Sequence, residues 1–161
     1  MTISVGDKIP DVNVQTPTPD GPKAVQTGDV LGRGKVVLFG VPGAFTPTCS
    51  DYHLPGFVSR ADELEAKGVT TIACTAVNDA FVMGAWGEAR DVGDKVLLLA
   101  DGSADFARAL GLDIDLSGGG LGVRSKRFSA ILDDGVITDL TVEDDGLGLD
   151  KSGADGVLAK L

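Results

Sequence analysis

The stretch Lys35-Val36-Val37-Leu38-Phe39-Gly40-Val41 constrains this chain more than any other. It is β-branched and apolar with no polar alternation, which is the pattern of a strand buried on both faces near the middle of a sheet. The strand pattern runs straight into Pro42-Gly43-Ala44-Phe45-Thr46-Pro47-Thr48-Cys49. Thr46 is placed to cap a helix, and Pro47 suits the first helical position because its missing N–H is not needed there. Cys49 then falls in the first turn, facing free amide donors and the positive end of the helix dipole. Both favour a thiolate over a thiol and make the sulfur nucleophilic at neutral pH.

The rest of the chain arranges itself around that strand. Residues 1–35 carry scattered Pro and Gly between short apolar pieces and predict an N-terminal extension of short strands or a hairpin. The helix that opens near Cys49 is expected to kink at Pro55-Gly56, to resume over residues 57–67 with Phe57, Ala61 and Leu64 on one face, and to stop at Gly68. Residues 69–77 read as a second central strand, with Asn78-Asp79 capping a short helix through Phe81, Val82, Ala85 and Trp86. A third strand over 96–100 turns at Asp101-Gly102 into a helix over 104–110, which Gly111 ends.

Strands and helices that alternate with short connections imply a mostly parallel sheet covered by helices. Beyond Gly118-Gly119-Gly120 the period changes. Residues 127–132, the turn Asp133-Asp134-Gly135 and residues 136–140 read as an antiparallel hairpin, followed by a helix over 154–161. The expectation is an α/β chain with a mixed central sheet flanked by helices, in the order of a thioredoxin-like fold, as a single domain over residues 1–161.

Composition narrows the chemistry. A length of 161 residues suffices to bury roughly two thirds of the unfolded surface without metal or disulfide support. The formal net charge of −10 argues against nucleic acid and anionic membrane as partners. No apolar run is long enough to span a bilayer, and Met1-Thr2-Ile3-Ser4-Val5-Gly6 lacks the layout of a signal peptide, so the expected compartment is the cytoplasm. Cys49 and Cys74, with the single His53, are too few for a disulfide framework or a four-ligand zinc site. The motif around Cys49 is not Cys-x-x-Cys, which leaves single-nucleophile chemistry.

Each candidate residue also has a plainer reading. A free cysteine is most often a small buried hydrophobe, and Cys74 in an apolar strand fits that description. His53, four residues after Cys49, could pair with it as a base or simply hydrogen-bond the backbone near Pro55. Arg124 is, on local grounds, an ordinary charge at a strand edge. Arg127 lies three residues further on, so strand periodicity turns it to the opposite sheet face.

Pro42-Gly43-Ala44-Phe45-Thr46-Pro47-Thr48-Cys49-Ser50 contains the Pro-x-x-x-Thr-x-x-Cys signature of the peroxiredoxins. His53-Leu54-Pro55-Gly56-Phe57 continues as in their atypical two-cysteine, type II subfamily, and Val77-Asn78-Asp79-Ala80-Phe81-Val82-Met83 and Gly122-Val123-Arg124-Ser125-Lys126-Arg127-Phe128 extend the match. The chain resembles that family over nearly its whole length. The resemblance implies a thiol peroxidase for hydrogen peroxide and organic hydroperoxides, with no metal, haem or flavin.

It also implies site roles. Cys49 is the peroxidatic nucleophile that becomes a sulfenic acid. The Thr46 hydroxyl bonds peroxide and thiolate, Pro42 shields the pocket, and Arg124 stands beside Cys49. Some type II relatives resolve the sulfenic acid with a C-terminal cysteine, but Gly146-Leu147-Gly148-Leu149-Asp150-Lys151-Ser152 has none. Others place a second cysteine at the spacing of Cys74, which leaves a resolving role open for it. The geometry of a mid-strand thiol favours one-cysteine behaviour instead, with glutathione and glutaredoxin, or thioredoxin, as reductant. Relatives imply a homodimer. The competing functions are a hydrolase or transferase built on Cys49 and His53, and a non-catalytic redox-sensing module.

Overall fold

The computed structural model describes residues 2–161. The N-terminal extension is a hairpin, β1 (Asn13–Thr18) and β2 (Gly21–Gln26), followed by one turn of helix, α1 (Thr27–Val30). The apolar stretch forms β3 (Lys35–Gly40), buried from Val36 onward. After the Pro/Gly loop the chain is helical from Pro47 to Ser59, and within that span Cys49–His53 is a π turn that hands over to α2 (Leu54–Ser59). A break at Arg60 precedes α3 (Ala61–Ala66). Then come β4 (Val69–Ala76), α4 (Ala80–Ala89), β5 (Leu97–Ala100) and α5 (Asp105–Leu110). The last part holds β6 (Asp113–Asp115), β7 (Val123–Ser125), β8 (Phe128–Asp133), β9 (Val136–Val142) and α6 (Ala154–Leu158).

Seven strands make one mixed sheet in the order β2-β1-β5-β4-β3-β8-β9, with β3, β4 and β5 parallel and the outer pairs antiparallel. The expected mixed sheet and its central strand are therefore present. β3 lies between β4 and β8, and its side chains alternate between two cores. Val37, Phe39 and Val41 pack with Leu54, Phe57 and Trp86, while Val36 and Leu38 pack with Phe106, Leu110 and Phe128. Burial of both faces is why this strand carries no polar alternation. The β8–β9 turn, Asp134-Gly135, has both residues at positive φ (47° and 82°), as a two-residue hairpin turn requires.

Three local expectations change. The helix irregularity expected at Pro55-Gly56 falls one turn earlier. Leu54 N–H reaches back five residues to the Cys49 carbonyl, so the π turn takes up the register change and Pro55 sits in the first turn of α2, where its missing N–H is harmless. The single helix expected over 57–67 is divided at Arg60. The third change bears directly on the site. Residues 123–133 are two strands, because β7 pairs with β6 in a separate ribbon (Ile114 opposite Arg124) and β8 begins the main sheet only at Phe128.

Candidate active site

Three segments distant in sequence meet at Cys49: the loop after β3 with the π turn, the residue that opens β8, and the loop between β9 and α6. Within the first, the Phe45 backbone is left-handed (φ 65°) and Asn78 accepts a hydrogen bond from Ala44 N–H at 2.9 Å, which ties the loop to the N-terminus of α4. The cap at Asp79 forms as expected, accepting from Val82 N–H at 2.8 Å. Pro47 is the first helical residue. Thr46 precedes it and its carbonyl receives Ser50 N–H, but its hydroxyl donates to Gly43 O at 2.7 Å and so does not cap the helix. On the next turn Trp86 Nε1 donates to Ser50 Oγ at 2.9 Å, anchoring the π turn to α4 from behind.

Cys49 has no exposed surface. Its sulfur accepts a hydrogen bond from Arg127 Nη2 at 3.0 Å. The same guanidinium donates through Nη1 to His53 Nδ1 (2.9 Å) and through Nε to Leu147 O (2.8 Å). Arg127 is 2% exposed, and no carboxylate lies within ion-pair distance of it among the described residues. His53 is buried against Phe39 and Phe57, at ring-centroid distances of 4.9 and 5.6 Å, and its Nε2 lies 3.0 Å from Ser152 O. A guanidinium has only N–H donors, so the nitrogen facing it must be a bare acceptor. His53 is therefore the Nε2–H tautomer, and that proton goes to the Ser152 carbonyl. Burial drives its pKa down to about 3; the Ser152 carbonyl pulls against this, Arg127 adds to it, and Glu143 opposes it.

The sequence reading placed Arg124 beside Cys49 and turned Arg127 away, and the structure reverses the two. Strand parity counts only along one continuous strand, and the chain leaves the β6–β7 ribbon before it enters the main sheet. Arg127 is pinned at the entry to β8, its N–H donating to Gly146 O and its carbonyl accepting from Glu143 N–H. Arg124 instead donates to Leu121 O (2.9 Å) and Pro42 O (3.1 Å). Its Nη1 fills the space that a side chain at position 43 would need, which accounts for Gly43. Arg124 thus braces the loop from outside.

Pro42 is buried, and with Thr46, Leu116, Leu121, Arg127 and Leu147 it lines a mostly apolar cavity of about 410 Å³. His53 bonds the backbone rather than the thiol, but at Ser152 O and not near Pro55, with both ring nitrogens engaged and neither on the sulfur. Cys74 sits in β4 opposite Phe39, fully buried and free. Burial pushes its thiol well above the ordinary value; the neighbouring Cys49 adds to this and Arg127 opposes it. Arg127, Glu143 and Ser152 were missed as site residues, although the adjacency of Arg127 to the apolar β8 run was a usable signal for a buried cation. Among the described residues no helix is long and apolar enough to cross a membrane.

The Redoxin family model matches residues 4–158. Peroxiredoxin-2E-2, chloroplastic, of Oryza sativa subsp. japonica is 54% identical over 150 residues, covering 90% of this chain and 67% of its own length. Peroxiredoxin-2E, chloroplastic, of Arabidopsis thaliana is 47% identical, covering 96% and 68%. Among solved structures, reduced Prx3 of Vibrio vulnificus in complex with H2O2 superposes with a TM-score of 0.93 at 46% identity, covering 99% of each chain. The cytoplasmic expectation does not survive, because two relatives this similar are named chloroplastic. Compartment is addressed by targeting segments and not by the folded domain, so composition had no bearing on it. The family model, the relatives and the shared thioredoxin-like architecture agree with the Pro42–Cys49 signature: the chain belongs to the peroxiredoxin family and is a thiol-dependent peroxidase.

Proposed function

We propose that Cys49 is the peroxidatic nucleophile and that Arg127, in the place the sequence suggested for Arg124, is its electrostatic partner. One observation carries this reading. Arg127 is a buried cation whose side-chain contacts are a carbonyl, a neutral imidazole and the Cys49 sulfur. A guanidinium out of water needs a compensating charge, and of those three acceptors only the sulfur can carry a negative one. The thiolate attacks the distal peroxide oxygen, the O–O bond breaks, and the proximal oxygen leaves as hydroxide or alkoxide while Cys49 becomes a sulfenic acid. Arg127 stabilises the negative charge as it passes from sulfur to the departing oxygen. The Thr46 hydroxyl spends its proton on Gly43 and keeps lone pairs to accept from a peroxide O–H, Pro42 excludes water, and the apolar cavity wall suits an organic hydroperoxide as well as hydrogen peroxide. The relative solved with H2O2 supports the substrate.

Cys74 acts as a core thiol in this reading, since its strand is paired on both sides, to β3 and to β5. The sulfenic acid is then reduced by an external thiol, glutathione with glutaredoxin or thioredoxin. Phe45, Leu121 and Leu147, 51%, 40% and 38% exposed near the cavity, supply apolar surface for a homodimer. A hydrolase based on Cys49 and His53 is disfavoured because both imidazole nitrogens are occupied elsewhere.

The test is single-turnover peroxide consumption by reduced protein. Cys49→Ser should abolish it, and Arg127→Ala should slow it about 10²- to 10³-fold. Arg124→Ala should slow it much less, through a loosened loop. Equal losses in the two arginine variants would sink the assignment.

A further inference from the structure

The segment from Glu143 to Ser152 supplies every contact of the Arg127–His53 pair described above apart from the sulfur and the flanking rings. Arg127 N–H donates to Gly146 O, its Nε to Leu147 O, and His53 Nε2 to Ser152 O. The turn that presents Leu147 O is shaped by the exposed Asp145, whose carboxylate accepts from Leu147 and Gly148 N–H at 2.9 and 2.8 Å. The turn that presents Ser152 O is shaped by Glu143.

Glu143 is 3% exposed and belongs to no ion pair among the described residues. Its Oε2 accepts from Asp150 N–H (3.1 Å), Lys151 N–H (2.9 Å), Ser152 N–H (2.8 Å) and Ser152 Oγ (2.6 Å). Burial alone would raise this carboxyl, but the Ser152 hydroxyl and the three amides outweigh it and hold the group below the usual carboxylate range, so it is an anion throughout the working range. Three consecutive amides gathered on one oxygen fix the direction of the carbonyl that follows them. That carbonyl belongs to Ser152, and it takes the His53 proton.

We propose that Glu143 is a positioning residue for the peroxidase reaction: by gathering the Asp150–Ser152 backbone it aims Ser152 O at His53, holds the imidazole as the Nε2–H tautomer, and so keeps Arg127 directed at the Cys49 sulfur. The chain of hydrogen bonds has one fixed polarity at each link: Glu143 accepts from Ser152, Ser152 O accepts from His53, and His53 Nδ1 and the Cys49 sulfur both accept from Arg127. If the Ser152 carbonyl swings away, His53 gains nothing from a proton on Nε2 and can carry it on Nδ1. An Nδ1–H would point at Arg127 Nη1, donor against donor, and the guanidinium would have to turn from the sulfur. Apart from the Cys49 sulfur itself, the groups that hold Arg127 are an uncharged carbonyl and a neutral imidazole, so its aim depends on those two acceptors being where they are.

This rests on the assignment of Cys49 and Arg127 above, and the primary readout is independent of activity. Proton–nitrogen correlation spectra of the only histidine report its tautomer directly. Wild type should show a single Nε2–H species at pH 7, and an Nδ1–H or cationic ring there overturns the proposal. In Glu143→Gln, whose neutral carbonyl oxygen holds the four donors less tightly than the carboxylate does, the spectra should show mixed tautomers. Its second-order rate with hydrogen peroxide should fall about 10- to 100-fold with the fold intact by circular dichroism. Ser152→Ala removes one donor of four and spares the backbone, so it carries the same test should Glu143→Gln not fold; partial tautomer mixing and a smaller rate loss are expected. A folded variant with the wild-type tautomer, or with mixed tautomers and an unchanged rate, refutes the proposal. Failure of the Cys49 and Arg127 assignment would show instead as a wild-type rate in Arg127→Ala, with the tautomer results untouched.

Discussion

His53 makes the stability of this protein depend on pH between 7 and 5, above the range where most of its carboxylates titrate. In the native state its pKa is about 3, against 6.5 for an ordinary histidine. The unfolded chain therefore binds a proton that the native state refuses, and stability falls as pH drops through 6.5, levelling off only near 3. Between pH 7 and pH 5 the two values give a loss of about 2 kcal/mol, from RT times the logarithm of the ratio of the two protonation factors. The chain has one histidine, so no second imidazole blurs the measurement. The experiment belongs in a Cys49→Ser background, where oxidation of the thiol cannot complicate unfolding. Urea unfolding at pH 7, 6 and 5 should show the midpoint falling by about 1 M across the series, for a slope near 2 kcal/mol/M. His53→Gln in the same background should flatten the profile. A change below about 0.5 kcal/mol from pH 7 to 5, or an identical slope in the His53→Gln protein, would refute the reasoning that this imidazole is held neutral by burial and by its two fixed partners.

Two further outcomes follow from the site. Thr46→Val keeps the shape but removes the hydroxyl and leaves Gly43 O with only the longer bond from Thr46 N–H (3.3 Å), so single-turnover peroxide loss should slow about 10²-fold and stability should fall by about 1 kcal/mol, while Thr46→Ser should recover most of the rate. Cys74→Ala creates a small void in the core and should cost about 1 kcal/mol in unfolding, yet leave single-turnover and steady-state peroxidase rates at wild type; mass spectrometry after one equivalent of peroxide should find no Cys49–Cys74 disulfide in the parent protein.

Much of the fold was legible in one dimension because its signals are local. The unbroken apolar run of β3, the Asp79 cap and the turn at Asp134-Gly135 each depend on residues a few positions apart, and each is found where expected. The cysteine end of the site was legible for the same reason: a strand, a Gly/Pro loop and a helix start fix where Cys49 must sit. The helix was less so, because a π turn leaves no periodic mark in five residues, and the separate β6–β7 ribbon is too short to declare itself.

What the sequence alone determined, then, is a buried central strand delivering a thiol to a helix start, and with it single-nucleophile chemistry. Which arginine serves that thiol was decided only in three dimensions. Arg127 is 78 residues from Cys49 and 74 from His53, and His53 is 99 from Ser152, so no local pattern links them. Arg124 and Arg127 look like neighbours on one strand, and periodicity assigns them opposite faces. The chain in fact changes sheets between them, and a residue's face is defined only by the ladder it is paired in. Burial selected Arg127, since its guanidinium, bonded to Leu147 O and His53, has the Cys49 sulfur as its remaining partner.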